Sequence, residues 1–201
     1  VQLRLAAGEL WVSGWPDPGP ALPFGLRLEP ASGAHRGPAR LRAEVLRFAR
    51  SAGLRCADPL TTAALGPFAS TTLSPPDRIG FAAWQHGGWR GVIAGAPAEA
   101  RAALARAALA AVGRSALLVV PHTVAVDTWL GALGPVLGER VAEHRPRCAG
   151  PPLQVATIAA AAWDVPRHAL PHELLLVDGI DAMPAAALQV LGDGSAAAAR
   201  L

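Results

Sequence analysis

Few residues in this chain have the types and spacing to do chemistry. His168, His172, Glu173, Asp178 and Asp181 bring imidazole and carboxylate groups close together in sequence. Their spacings match no metal-ligand pattern, and His172 and Glu173 flank an apolar run. Solvated loop residues are therefore the expectation, and no metal is assigned. His122 and Asp127 could join a serine in a hydrolytic triad, but no Gly-x-Ser-x-Gly turn supplies the nucleophile. Cys56 and Cys148 are too few for a disulfide framework and read as inert thiols in a reducing compartment. Every one of the 18 Lys and Arg residues is arginine. Any step that needs a lysine ammonium is excluded.

Two groups of residues suit binding better than catalysis. Arg40, Arg42, Arg47 and Arg50 recur on one face of a helical stretch, either as a phosphate-binding patch or as a solvated helix face. Of the six tryptophans, Trp84 and Trp129 fall at helical apolar positions and read as core. Trp11 and Trp15 lie beside a Pro-rich loop, where they either pack inward or offer a surface for a partner or for base stacking.

The elements that position these residues follow from composition and periodicity. The 201 residues are 52% apolar and 16% charged, which supports a sizeable core and excludes a disordered chain. No apolar run reaches the roughly 18–20 residues of a membrane span; Ala107–Val112 and Ala116–Val120 are separated by Gly113 and Arg114. The start, Val1-Gln2-Leu3-Arg4, lacks the order of a signal peptide, so a cytoplasmic location is the expectation. The net charge of +3 and a pI of about 10.0 permit contact with phosphates without demonstrating it. The excess of Ala, Gly, Pro and Arg also marks a GC-rich coding sequence.

Residues 1–56 read as a small α+β module. Alternating strands are expected at Gln2–Leu5, Leu10–Val12 and Phe24–Leu28, with a Pro/Gly-rich turn from Pro30 to Pro38. An amphipathic helix follows over Ala39–Ala52, with Leu41, Val45, Leu46 and Ala49 on its apolar face. Residues 57–75, rich in Thr, Ser and Pro, read as a linker. From 76 to 201 apolar strands alternate with helices. Strands are expected at Gly91–Ala94, Ser115–Val120, Leu153–Thr157 and Leu174–Val177. Helices are expected at Asp77–Gln85, Ala98–Val112, Val124–Leu137, Ile158–Trp163 and Pro184–Leu191, with Gly131, Gly134 and Pro135 as candidate breaks. This rhythm predicts an α/β fold, a parallel sheet with helices on both faces. Ligands of such sheets gather at the carboxyl ends of the strands, here Ala94–Arg101, Pro121–Thr123, Thr157–Ala159 and Asp178–Asp181.

The order of these segments resembles the first RecA-like domain of a superfamily 2 helicase of the XPB-like group. The stretch Gly91–Leu104 stands where that family has a strand and a phosphate loop ending Gly-Lys-Thr. Leu117-Leu118-Val119-Val120-Pro121, with Trp129 after it, resembles the family's strand ending in Val-Pro, and Val155-Ala156-Thr157 its Val-Ala-Thr strand. Leu174-Leu175-Leu176-Val177-Asp178-Gly179-Ile180-Asp181 matches the strand ending in Asp-Glu-Ala-His. Leu73–Asp77 with Trp84 resembles the upstream adenine-reading motif, and residues 1–56, through Phe24–Arg42, the damage-recognition-like module.

The resemblance implies a nucleotide site whose chemistry is missing. Ala102 and Ala103 stand at the Lys and Thr positions, Glu99 and Arg101 at the glycines, with Pro97 opening the loop. A one-place slip would put Arg101 at the Lys position, but a guanidinium fork does not replace a compact ammonium. Asp77 replaces the adenine-reading Gln, and Gly179 replaces the Glu that orients the attacking water; Asp178 alone retains its family role. The chain stops near where the next motif strand would start, so the second RecA-like domain of a motor is expected to be absent.

The implied protein is a catalytically inactive, helicase-like DNA-binding or scaffolding subunit of DNA repair or replication, without a cofactor. A nuclease or an active helicase would be its partner, and no membrane is involved. By the same resemblance His122, Thr123 and Thr157 would touch the DNA backbone, joined by Arg40 and Arg47 of the basic patch. His122 and Thr123 can equally begin a helix, with Thr123 as its N-cap. Two other readings remain: an ATP-binding helicase or ATPase domain with an atypical phosphate loop, and a protein-interaction module without affinity for DNA.

Overall fold

The computed structural model describes residues 1–17, 21–22, 25–58, 63–68, 71–145, 150–165, 167, 172–197 and 199–201. Short alternating segments build the first sheet. β1 (Gln2–Ala6) and β2 (Glu9–Ser13) form a hairpin around Ala7 and Gly8, both at positive φ. β3 (Arg27–Glu29) and β4 (Ala34–Pro38) complete an antiparallel sheet of order β1-β2-β4-β3. Leu3, Leu10 and Val12 point to one face, where they meet Leu41 and Val45. Those residues come from a 3-10 turn, Ala39–Leu41, and from α1 (Arg42–Ser51).

β4 stands where a turn was expected over Pro30–Pro38. Its sequence, Ala-His-Arg-Gly-Pro, has no apolar alternation, and its extended state comes from pairing with β2 on one side and β3 on the other. Gly37 is required there, because a Cβ would stand 2.6 Å from the Gly25 carbonyl oxygen. Of the expected strand Phe24–Leu28, Phe24 lies outside the described residues, and β3 begins at Arg27.

The second sheet is parallel. Its elements are α2 (Pro75–His86), α3 (Ala98–Val112), β5 (Ala116–Val120), α4 (Thr123–Leu137), β6 (Val141–Glu143), β7 (Leu153–Thr157), α5 (Ile158–Asp164), β8 (Leu174–Val177), α6 (Ala185–Gly194) and β9 (Ala199–Arg200). The strand order is β6-β7-β5-β8-β9, with every paired neighbour parallel. β5 shows why both faces are covered. Ala116, Leu118 and Val120 join the cluster with Trp84, Leu109, Trp129 and Leu133, while Leu117 and Val119 join Ile158, Ala161, Met183 and Leu191. Helices α2, α3 and α4 thus cover one face and α5 and α6 the other, as continuously apolar strands demand.

Gly131, Gly134 and Pro135 do not break α4, because Trp129, Leu133 and Leu137 of the same helix are buried against the sheet. The expected strand Gly91–Ala94 does not form. Its neighbourhood makes a single parallel bridge, Arg90 to Arg200, and residues 91–97 continue as an irregular, largely exposed segment. Three apolar residues between glycines are too short a run to complete another strand beside the two-residue β9.

The two sheets are tied together. Ala57 bridges Gln2 at the free edge of β1, and Leu65, fully buried, donates its N–H to the Gly113 carbonyl. The described part of the stretch read as a linker is therefore pinned at Ala57 and at Leu65. Arg42, expected on the solvated face of its helix, is 2% exposed. Its guanidinium bonds Asp58 and Glu173 and donates to the Ala196 carbonyl. Burial would pull Arg42 down, but these two carboxylates outweigh it and hold the guanidinium above its ordinary value. Arg40 reaches Asp193 on α6 at 2.7 Å.

Candidate functional site

Asp178 follows β8 and is placed by the sheet itself: its N–H donates to the Val119 carbonyl at 2.9 Å. Its side chain meets two others at the carboxyl end of the strands. Oδ1 accepts from the Arg101 guanidinium at 3.0 Å, and Oδ2 accepts from Trp129 Nε1 at 2.9 Å. α3 delivers Arg101 because it begins at Ala98, which puts Arg101 in the first turn facing β8. α4 delivers Trp129 on the same apolar face as Val126 and Leu133. Both carboxylate oxygens are thereby engaged by nitrogen donors from two helices.

The segment that resembles a phosphate loop supplies little to an anion. α3 is N-capped by Pro97, which has no side-chain acceptor, and carries Glu99 in its first turn. That carboxylate already meets the positive end of the helix and would repel a phosphate. Ala102 packs against the core, and neither Ala102 nor Ala103 offers an ammonium or a hydroxyl. Asp77 is spent locally: Ser74 caps α2 by accepting the Asp77 N–H, and its hydroxyl donates to the Asp77 carboxylate. Gly179 sits at φ +75°, and a Cβ there would lie 2.9 Å from Pro121 Cγ. A glutamate would be strained at that position. The residues present do not fit a Mg²⁺–nucleotide, and no hydrolytic step is derived from them.

A cleft of about 610 Å³ nevertheless opens here, between residues 91–96, the end of β8 and α6. Leu118, Leu176, Leu188 and Leu191 give it an apolar wall, and Arg101, Asp178, Asp181 and Arg200 supply its charges. Small-molecule sites share this pattern of an apolar wall with a few convergent polar groups.

Two of the three loop residues expected at a DNA backbone, His122 and Thr157, act as helix caps. His122, not Thr123, is the N-cap of α4, its Nδ1 accepting the Ala125 N–H at 3.3 Å; Thr123 is the first helical residue and is exposed. The His122 imidazole takes that role because it lies one residue earlier, in extended backbone. Thr157 caps α5 by accepting the Ala160 N–H at 3.3 Å.

The residues weighed as metal ligands are not gathered. His168 and Cys148 lie outside the described residues. Asp181 is exposed, but His172 and Glu173 are not the solvated loop residues expected: Glu173 binds Arg42, and His172 is 5% exposed at the junction of the two sheets. Among the described residues neither His172 ring nitrogen has a hydrogen-bond partner, and burial, with a smaller push from His144, lowers it to about 4. Among the described residues no group of three His, Cys, Asp or Glu is placed to hold a metal ion. Cys56 is half-buried, and burial raises its thiol above the ordinary value.

Trp11, Trp84 and Trp129 divide between the core and the outer face of the first sheet. Trp84 and Trp129 are core. Trp11 lies on the outer face of the first sheet, opposite Arg4 on β1 and Arg36 on β4, whose guanidinium carbons stand 5.2 and 5.6 Å from its ring centre. Trp15 packs beside Phe48. Of the basic helix face, Arg47 and Arg50 are exposed, whereas Arg40 and Arg42 are consumed in ion pairs. Sequence reasoning missed the Arg101–Asp178–Trp129 contact because its members lie 77 and 49 residues apart. The signal available was the lone arginine in the first turn of an alanine-rich helix.

Compared with known proteins, the chain matches no protein family and no curated protein. No helix among the described residues is long and apolar enough to cross a membrane.

Proposed function

We propose that this chain is a catalytically inactive, helicase-like α/β protein that serves as a nucleic-acid-binding or scaffolding subunit in DNA repair or replication. The parallel sheet is of the RecA-like type, with α2–α4 on one face and α5–α6 on the other. The observation that carries the reading is the engagement of Asp178. In a working site this carboxylate would help to hold Mg²⁺. Here a guanidinium and an indole N–H take both of its oxygens, and the guanidinium supplies the positive charge a metal ion would bring. Removing the charges that stabilise phosphoryl transfer costs orders of magnitude in rate.

Isothermal titration of the full chain with Mg·ATP tests this. The expected result is no saturable heat at millimolar nucleotide. Binding in the micromolar range would overturn the inactive reading. The cleft of about 610 Å³ favours one second reading, a nucleotide- or small-molecule-binding domain with an atypical loop. A micromolar isotherm that is lost in Asp181→Ala, a charge on the cleft wall outside the Asp178 clamp, would support it. The implied partner, a nuclease or an active helicase, belongs to this proposal and would be sought by copurification.

A further inference from the structure

A second groove, of about 890 Å³, runs between α1, the turn after α2 and the C-terminal end of α3. Arg47, Arg50, Arg90 and Arg114 line it, and all four are exposed. Among the described residues none of these four guanidiniums makes a hydrogen bond or an ion pair. The groove's two carboxylates, Asp58 and Glu173, are both bonded to Arg42 beneath them. Five arginines therefore face two acids, and both acids are turned toward Arg42, which leaves the groove with a net positive charge. The surplus is felt nearby: burial and the positive charges of Arg90 and Arg40 hold Arg200 down to about 10, although it remains charged at neutral pH.

The groove also holds an aromatic ring in an unusual backbone state. Trp89 is half-buried, edge-on to Trp84 at 5.1 Å between ring centres, and sits at φ +65°. A bulky L-residue in the left-handed region costs about 1–2 kcal/mol. Strain of that kind persists where the surroundings over-determine it and clusters at binding sites.

We infer that this groove is a track for a single-stranded nucleic acid, its phosphates on Arg47, Arg50, Arg90 and Arg114 and a base against Trp89. Three features select that partner. Guanidinium forks match phosphate oxygens in geometry as well as in charge. An aromatic ring among arginines suits a strand whose bases are free to unstack, which a duplex does not offer. A concave lining cannot follow a flat membrane surface. The inference gives the nucleic-acid part of the proposed function a surface on this groove, apart from the helix-capping loops. It does not depend on the nucleotide site, so micromolar Mg·ATP binding would overturn the inactive reading and leave the groove's charges and their expected effect as they are.

The test is fluorescence anisotropy of the full chain with labelled oligo(dT) of about 16 nucleotides. The wild type is expected to bind at about 50 mM salt, with a log–log salt slope approaching about −3 for four phosphate contacts on a single strand. Arg90→Glu with Arg114→Glu should weaken binding about tenfold or more and remove about 1.4 from that slope. Arg90→Gln with Arg114→Gln should move both readouts the same way by less, and serves if the charge reversal unfolds the chain. Arg4→Glu with Arg27→Glu, on the first sheet, should leave the affinity within about twofold. No binding by the wild type, equal losses in the groove and sheet pairs, or equal affinity for a duplex or for polyglutamate would each overturn the inference.

Discussion

His172 gives the sharpest test of how the two sheets are joined. Its imidazole is 5% exposed, with neither nitrogen hydrogen-bonded among the described residues, and lies among Leu5, Ala39, Leu117, Val165 and Ala196. Burial, and to a lesser degree His144, lowers it from 6.5 to about 4. In the unfolded chain the ring protonates near pH 6.5; in the folded chain it stays neutral until about pH 4. Between those values the unfolded state binds the extra proton, so stability falls as pH falls through that window and levels off below it. At about 1.4 kcal/mol per decade of proton affinity, the interval is worth about 3 kcal/mol. His172→Leu removes the titrating group and the two unpartnered nitrogens while keeping an apolar volume. Urea unfolding of both proteins from about pH 7.5 to about pH 4 isolates the effect, because titrations not coupled to His172 cancel in the difference. The variant should gain about 3 kcal/mol on the wild type across the window, which corresponds to about 6–12 °C in Tm for a chain of this size. A difference that does not change with pH, or an NMR titration of His172 with a midpoint above pH 6, would refute the reasoning.

Other expectations follow from single side chains. Arg42→Ala leaves the Asp58 and Glu173 carboxylates facing each other across a largely buried gap; discounting for their partial exposure, a loss of about 2–4 kcal/mol is expected in urea unfolding. Adding Asp58→Asn and Glu173→Gln to that variant should recover part of the loss, and no recovery would show that the charges are not the cause. Gly179→Glu, which introduces the glutamate that helicases carry at the position Gly179 resembles, should lower stability by about 1–3 kcal/mol through strain at φ +75° and the contact with Pro121. It should produce no phosphate release from Mg·ATP; measurable turnover would contradict the account of the site.

The candidate site was legible in part. Asp178 could be found at the end of an apolar run because position after a buried strand is a local property. Its chemistry was not legible, because Arg101 and Trp129 reach it from helices whose order around the sheet only the fold sets. Arg42 shows the same limit in reverse. Its helical spacing assigns it to the charged face with Arg40, Arg47 and Arg50, yet it is buried by Glu173, 131 residues away. Periodicity reports which face of a helix is apolar; it does not report what a second unit will lay across the other.

What the sequence determined by itself was the set of long elements. Helix Ala98–Val112 and strands Leu153–Thr157 and Leu174–Val177 lie where their patterns place them, because a continuous apolar run or a 3.6-residue repeat states its own burial. Only the tertiary structure decided the internal strand β4, the short edge strands β6 and β9, the strand order β6-β7-β5-β8-β9, and the loss of the strand expected at Gly91–Ala94. A few residues carry too little periodic signal to specify their own state, and their hydrogen bonds come from whichever neighbour the chain brings alongside. Charge partners obey the same rule. Attraction between Arg101 and Asp178, or Arg42 and Glu173, acts over a few ångströms, and the packing of the buried elements brings them within that range.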